Sequence, residues 1–156
     1  MAEESLALAQ TLAEPDARCE FLLMDATHMS FPDESFDVVV CIQNGICAFQ
    51  APRSELLREA LRVVRPGGRL ICSTYSDAFW AERLSWFESQ SSEGLVGPID
   101  YAATGDGVIA CRDGFRSGTA TRSELEKLFS ELGVTAVITE VDESSLFCEA
   151  TKPCAT

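Results

Sequence analysis

Basic residues are scarce. Twelve Lys+Arg stand against 25 Asp+Glu in 156 residues, a formal net charge of −13. A surface this acidic repels phosphate backbones, so no nucleic-acid partner is expected. The one basic stretch, Arg53, Arg58, Arg62, Arg65 and Arg69, is interrupted by Glu55 and Glu59 and reads as a solvated helix face. Histidine is scarcer still: His28 stands alone in a polar loop, where a solvent-facing ring is the plainer reading than a general base. No two of the seven cysteines (Cys19, Cys41, Cys47, Cys72, Cys111, Cys148 and Cys154) form a C-x-x-C pair. Their scatter argues against a zinc site or a disulfide framework, so no metal is expected and a reducing compartment fits. Long apolar runs are missing as well. Val38-Val39-Val40-Cys41-Ile42 is far too short to cross a bilayer. The start, Met1-Ala2-Glu3-Glu4-Ser5, has no basic residues ahead of an apolar block, unlike a secretory signal. The expectation is a cytoplasmic protein with no membrane partner, and a small molecule is the default ligand.

What is present is ordinary globular composition, 46% hydrophobic and 24% charged, in a chain of single-domain length. Helical and strand patterns alternate along it. Leu6, Leu8, Ala9, Leu12 and Ala13 share one side of a first helix that stops near Pro15. Residues 19–24 read as a short strand, and 36–42 as a β-branched strand covered on both faces in a parallel sheet. Leu56, Leu57, Ala60, Leu61 and Val64 mark a helix entered at Pro52, Gly67-Gly68 makes a turn, and 69–74 is another buried strand. Such alternation implies parallel strands joined by crossover helices. Thr121 and Glu124 form a capping box opening a helix that Gly133 closes. Strands at 134–141 and 146–150 follow, and the short link between them permits only an antiparallel hairpin. Residues 77–118, with Phe79, Trp80, Trp86 and Phe87, look like an inserted lid. The whole, 1–156, reads as a single α/β domain.

In an open parallel sheet, ligands sit beyond the carboxyl ends of the strands. Asp25-Ala26, Gln43-Asn44-Gly45 and Thr74-Tyr75-Ser76-Asp77 occupy those positions. A carboxylate there can accept from an exocyclic amine while the next backbone N–H donates, a pairing that reads an adenine edge. Met29 and Phe31 offer the apolar faces that a flat base needs. Asp25 reads equally well as a turn or cap residue.

Three blocks carry a resemblance. Phe21-Leu22-Leu23-Met24-Asp25-Ala26, then Phe31-Pro32-Asp33-Glu34-Ser35-Phe36-Asp37-Val38-Val39-Val40, then Leu61-Arg62-Val63-Val64-Arg65-Pro66-Gly67-Gly68-Arg69-Leu70 resemble the class I S-adenosylmethionine-dependent methyltransferases, in their small-molecule group. The resemblance implies a Rossmann-like, mostly parallel sheet with helices on both faces and a C-terminal antiparallel hairpin. It implies S-adenosylmethionine as cofactor, with Asp25 taking the adenine amino group, Ala26 a ring nitrogen through its amide, and Met29 the adenine face. Gln43 and Asn44 would lie beside the sulfonium and methionine portion. Tyr75, Trp80 and Tyr101 are substrate candidates under the lid, with Asp77 equally the N-cap of its helix; no catalytic residue is singled out.

The sequence departs from that pattern in one respect. The family's Gly-rich loop and the acidic residue after its second strand have no counterpart here, so the family's first strands are expected to be missing. In the family those strands lie between 19–24 and 36–42. Without them the 36–42 strand would expose one edge, a template for a second chain, and a homodimer through that edge or the lid is expected. A strand at 19–24 moving in beside it would be the monomeric alternative. The function implied is methyl transfer to a small molecule; the alternative is a non-catalytic assembly module that keeps the fold and binds cofactor weakly or not at all.

Overall fold

The computed structural model describes residues 2–13, 18–49 and 51–154. Its elements are α1 (Ala2–Leu12), β1 (Phe36–Cys41), α2 (Gly45–Ala48), α3 (Arg53–Val63), β2 (Val64–Tyr75), a 3₁₀ turn (Asp77–Phe79), α4 (Trp80–Ser92), β3 (Ile109–Ala110), β4 (Arg116–Ser117), α5 (Arg122–Glu131), β5 (Ala136–Val141) and β6 (Ser145–Thr151). Four strands form the main sheet in the order β1-β2-β6-β5. β1 and β2 pair parallel, joined by the crossover through α2 and α3. β6 runs antiparallel to both β2 and β5. Three strands therefore point one way and β6 alone is reversed, the mostly parallel α/β sheet with a terminal hairpin that the sequence implies.

The core lies on one face of that sheet. Ile46 of α2, Leu57, Ala60 and Leu61 of α3, and Leu125 and Phe129 of α5 pack on Leu70, Cys72, Leu146, Cys148 and Ala150. Cys41, Cys72 and Cys148 stand abreast on three neighbouring strands of this face. Burial holds the Cys41 thiol above its usual range, and Cys72, hydrogen-bonded to Cys148, is likewise pushed up. All seven cysteines are free thiols. The opposite face is bare among the described residues: Val40 is 55% and Val137 67% exposed. Leu8 and Leu12 of α1 are also exposed rather than closing over it. The cover expected on both faces of 36–42 is thus present on one.

Residues 19–24 are not a strand. A strand persists only in a ladder, and these residues have no partner among the described ones, so they did not move in beside β1. β1 is an edge strand, as expected. β2 starts five residues before the expected 69. The expected turn at Gly67-Gly68 is present as a bulge within it: the register with β1 shifts between Val64 and Arg69, and Gly67 has a φ of 75°. Gly68 makes this possible, because a Cβ would lie 2.7 Å from the Asp37 carbonyl oxygen of β1. The capping box is present: the Glu124 amide donates to Thr121 and the Glu124 carboxylate accepts from the Thr121 amide. Pro15, where the first helix was expected to stop, falls outside the described residues.

The 77–118 segment carries its own small cluster of Phe87, Ile99, Ile109 and Cys111, with Trp80, Leu84 and Val96 packed around it. β3 and β4 pair only with each other.

Candidate functional site

β1 ends in a tight turn at Gln43-Asn44. Gln43 and Asn44 both adopt left-handed backbone, with φ of 56° and 61°, an unfavourable geometry that persists only where surroundings enforce it. The enforcement is visible. Asn44, 5% exposed, accepts from Thr74 Oγ1 at 2.8 Å and donates to the Gly118 carbonyl at 3.0 Å. The Gln43 amide donates to Ser73 Oγ at 3.0 Å while its side chain stays exposed. Asn44 thereby ties the carboxyl ends of β1 and β2 to the strand that closes the 77–118 segment.

Beyond the end of β2 opens a cavity of about 750 Å³. Ser76 and Asp77 continue from β2 into its wall, Trp80 and Arg83 come from α4, Tyr101 and Asp106 from the insertion, and Thr121 and Glu124 from the start of α5. Ser76, not Asp77, caps the turn into α4, accepting from the Ala78 amide and bonding Glu140 with its hydroxyl. That leaves the Asp77 carboxylate exposed at the cavity.

Arg83 is the largest fully buried side chain described. It donates to the carbonyls of Gly107 at 3.0 Å and Ser117 at 2.7 Å and to Ser117 Oγ at 2.9 Å, while its Nε has no partner. Its guanidinium lies 5.0 Å from the Tyr75 ring centroid and 6.0 Å from that of Trp80. Burial lowers its proton affinity below the usual arginine value. The sequence holds a signal for it: Arg83 is the only basic residue between Arg69 and Arg112, and it sits among Phe79, Trp80, Trp86 and Phe87.

Of the three substrate candidates, Trp80 and Tyr101 line the cavity. Tyr101 donates its hydroxyl to Glu88 at 2.7 Å, which holds it in the phenol form to higher pH. Tyr75 stacks on Phe79 at 6.1 Å and lines a smaller neighbouring hollow that shares Arg83.

The cofactor candidates lie elsewhere. None of Asp25, Ala26, Met29, Gln43 or Asn44 lines this cavity. Asp25 sits in an exposed turn, its Oδ1 accepting from the Thr27 amide at 2.8 Å and hydroxyl at 2.7 Å. Those bonds lower its pKa. Among the described residues Asp25 Oδ2 and the Ala26 amide have no hydrogen-bond partner, so an acceptor and a donor stay available side by side, the pair an adenine edge needs. The segment is held in place from α3. Arg62 donates to the carbonyls of Met29 and Phe31 and to Asp33 and Glu59, and the Met29 amide donates to Glu59. Among the described residues, no group of three or more His, Cys, Asp or Glu is placed to hold a metal ion, and no helix is long and apolar enough to cross a membrane.

Comparison with known proteins adds the following. A family described as a methyltransferase domain matches residues 1–72. A 2-methyl-6-phytyl-1,4-hydroquinone methyltransferase of Synechocystis is 38% identical over 68 residues, 44% of this chain and 21% of that protein. A demethylmenaquinone methyltransferase of Clavibacter sepedonicus is 44% identical over 61 residues, 39% of this chain and 24% of that protein. The matched segment thus spans about a fifth to a quarter of those relatives. Among solved structures, a SAM-dependent methyltransferase of Methanosarcina mazei superposes with a TM-score of 0.70 at 21% identity, covering 97% of this chain and 79% of that one. A 1,6-didemethyltoxoflavin-N1-methyltransferase of Burkholderia thailandensis, bound to its substrate and S-adenosylhomocysteine, superposes at 0.60 with 19% identity over 97% of this chain and 57% of that one.

Proposed function

From a chain whose residues 1–72 match a methyltransferase-domain family and which superposes over 97% of its length on a SAM-dependent methyltransferase, we infer an S-adenosylmethionine-dependent transfer of a methyl group to a small molecule. One observation carries this reading: a cavity of about 750 Å³ opens at the carboxyl end of β2 beneath the 77–118 segment, where open α/β sheets take their ligands. The relatives' names, with a hydroquinone and demethylmenaquinone in them, support an aromatic acceptor. Trp80 and Tyr101 in the cavity wall support it independently, and they lie outside the matched residues.

Asp25 Oδ2 and the Ala26 amide would hold the adenine edge, Met29 would cover its face, and Gln43 and Asn44 would lie toward the methionine end. The cofactor, when bound, supplies a methyl already activated on a sulfonium. The chain has then to align the acceptor for in-line attack and keep water away. Asn44 serves alignment, because it fixes the end of β1 to Gly118, the residue before Thr119 of the cavity wall. Seven free thiols support a reducing, cytoplasmic setting. The free edge of β1 supports a homodimer formed by strand pairing.

Calorimetric titration with S-adenosylhomocysteine tests the reading. Micromolar binding is expected, weakened at least tenfold in Asp25→Ala, since a bond to a charged acceptor is worth about that much. Absence of heat at millimolar ligand would overturn it and leave the non-catalytic assembly module as the reading.

A further inference from the structure

We propose that the cavity beneath the 77–118 segment is built for an acceptor that carries one carboxylate on a flat apolar body, with Arg83 receiving that carboxylate. The inference rests on reading this cavity as the acceptor site. It starts from an imbalance. Arg83 is 1% exposed, and a buried cation is costly unless it is both hydrogen-bonded and paired with an anion. Here only the first condition is met. The carbonyls of Gly107 and Ser117 and the Ser117 hydroxyl solvate the guanidinium without neutralising it. Among the described residues no carboxylate pairs with it; its neighbours Tyr75 and Cys47 carry neutral groups. Its Nε–H has no acceptor.

Arg62 shows what a satisfied guanidinium looks like in this chain. Its Nε, Nη1 and Nη2 all donate, and two carboxylates, Glu59 and Asp33, face it. Arg83 differs in lining a cavity and in having its missing partners be an anion and an acceptor. A ligand carboxylate supplies both at once.

The cavity selects further. Its own carboxylates, Asp77, Asp106 and Glu124, are all exposed, whereas the cation is deep. Arg53 also lines the cavity, half-buried and donating to the Thr119 carbonyl. Against the three exposed carboxylates this leaves no excess positive charge for a dianion such as a phosphate monoester. Arg83, the one fully buried cation of the lining, matches a monoanion. The indole of Trp80 and the ring of Tyr101 in the walls suit a flat body.

Benzoate is the probe, compared with benzamide, benzylamine and phenyl phosphate, on the full chain. Binding is followed by tryptophan emission and by the ¹⁵N–¹H resonance of the Arg83 Nε–H. Benzoate is expected to bind at least about tenfold more tightly than benzamide, the worth of a charged hydrogen bond, and to move the Nε–H resonance at saturation. Arg83→Gln should bring the two affinities within about twofold, with Arg83→Lys as the second variant if Gln costs the fold; the resonance measurement needs no variant. Equal affinity of benzoate and benzamide, tighter binding of benzylamine or phenyl phosphate, or an unmoved Nε–H resonance would overturn the inference. The S-adenosylhomocysteine titration separates the two readings. Benzoate preference without cofactor heat would remove the methyl-transfer reading and keep the carboxylate site; cofactor heat without benzoate preference would remove this inference alone.

Discussion

The two faces of the main sheet are made by alternate residues of the same four strands, yet they have different fates. On one, Leu70, Cys72, Cys148 and Ala150 are sealed beneath α2, α3 and α5. On the other, one residue away along the same strands, Val38, Val40, Val137 and Phe147 lie at the surface. Strand composition therefore does not decide burial; a helix must be available to cover each face. The comparison also locates stability. Apolar area removed from water is concentrated on the helix side, and the bare face contributes its backbone ladder and little else.

Three substitutions can break or sharpen that contrast. Phe129→Ala, on the helix side, removes a fully buried ring and is expected to cost about 3–5 kcal/mol in urea denaturation. A loss under 1 kcal/mol would mean that the face is not the core. Thr121→Ala removes the cap of α5, the helix that carries Phe129, and should cost about 1 kcal/mol through loss of one half of the capping box. Thr121→Ser should restore most of it. Val40→Lys, on the bare face, is expected to change monomer stability by no more than about 0.5 kcal/mol. The same change should shift sedimentation toward monomer if two copies pair along β1. A large loss of stability without a change in sedimentation would show that the face is covered from within the chain.

Local chemistry was legible in the sequence, and non-local pairing was legible only in part. The capping box at Thr121 and Glu124 needs residues three apart and was read directly. The hairpin of β5 and β6 follows from a short link, and the edge position of β1 from the family pattern. Residues 19–24 have the composition of a strand, but a strand also needs a neighbour, which composition does not supply. β2 begins at Val64 because Gly68 lets it approach β1, a fact about distance rather than pattern. Asp77 and Ser76 are both good caps, and only the backbone direction after Tyr75 selects the serine. For the site, Trp80 and Tyr101 line one cavity and Tyr75 a neighbouring hollow. Arg83 went unread because a lone arginine on an aromatic helix does not reveal from its spacing whether it points inward or out.

The grip of Arg62 and Glu59 on the segment before β1 has a consequence for time rather than structure. That segment has no ladder of its own, and its Met29 amide hydrogen is held by a side chain of α3. Deuterium enters there when the Glu59 carboxylate lets go. The uptake rate at this one amide is therefore a clock for the release of the segment from Glu59, readable without any ligand.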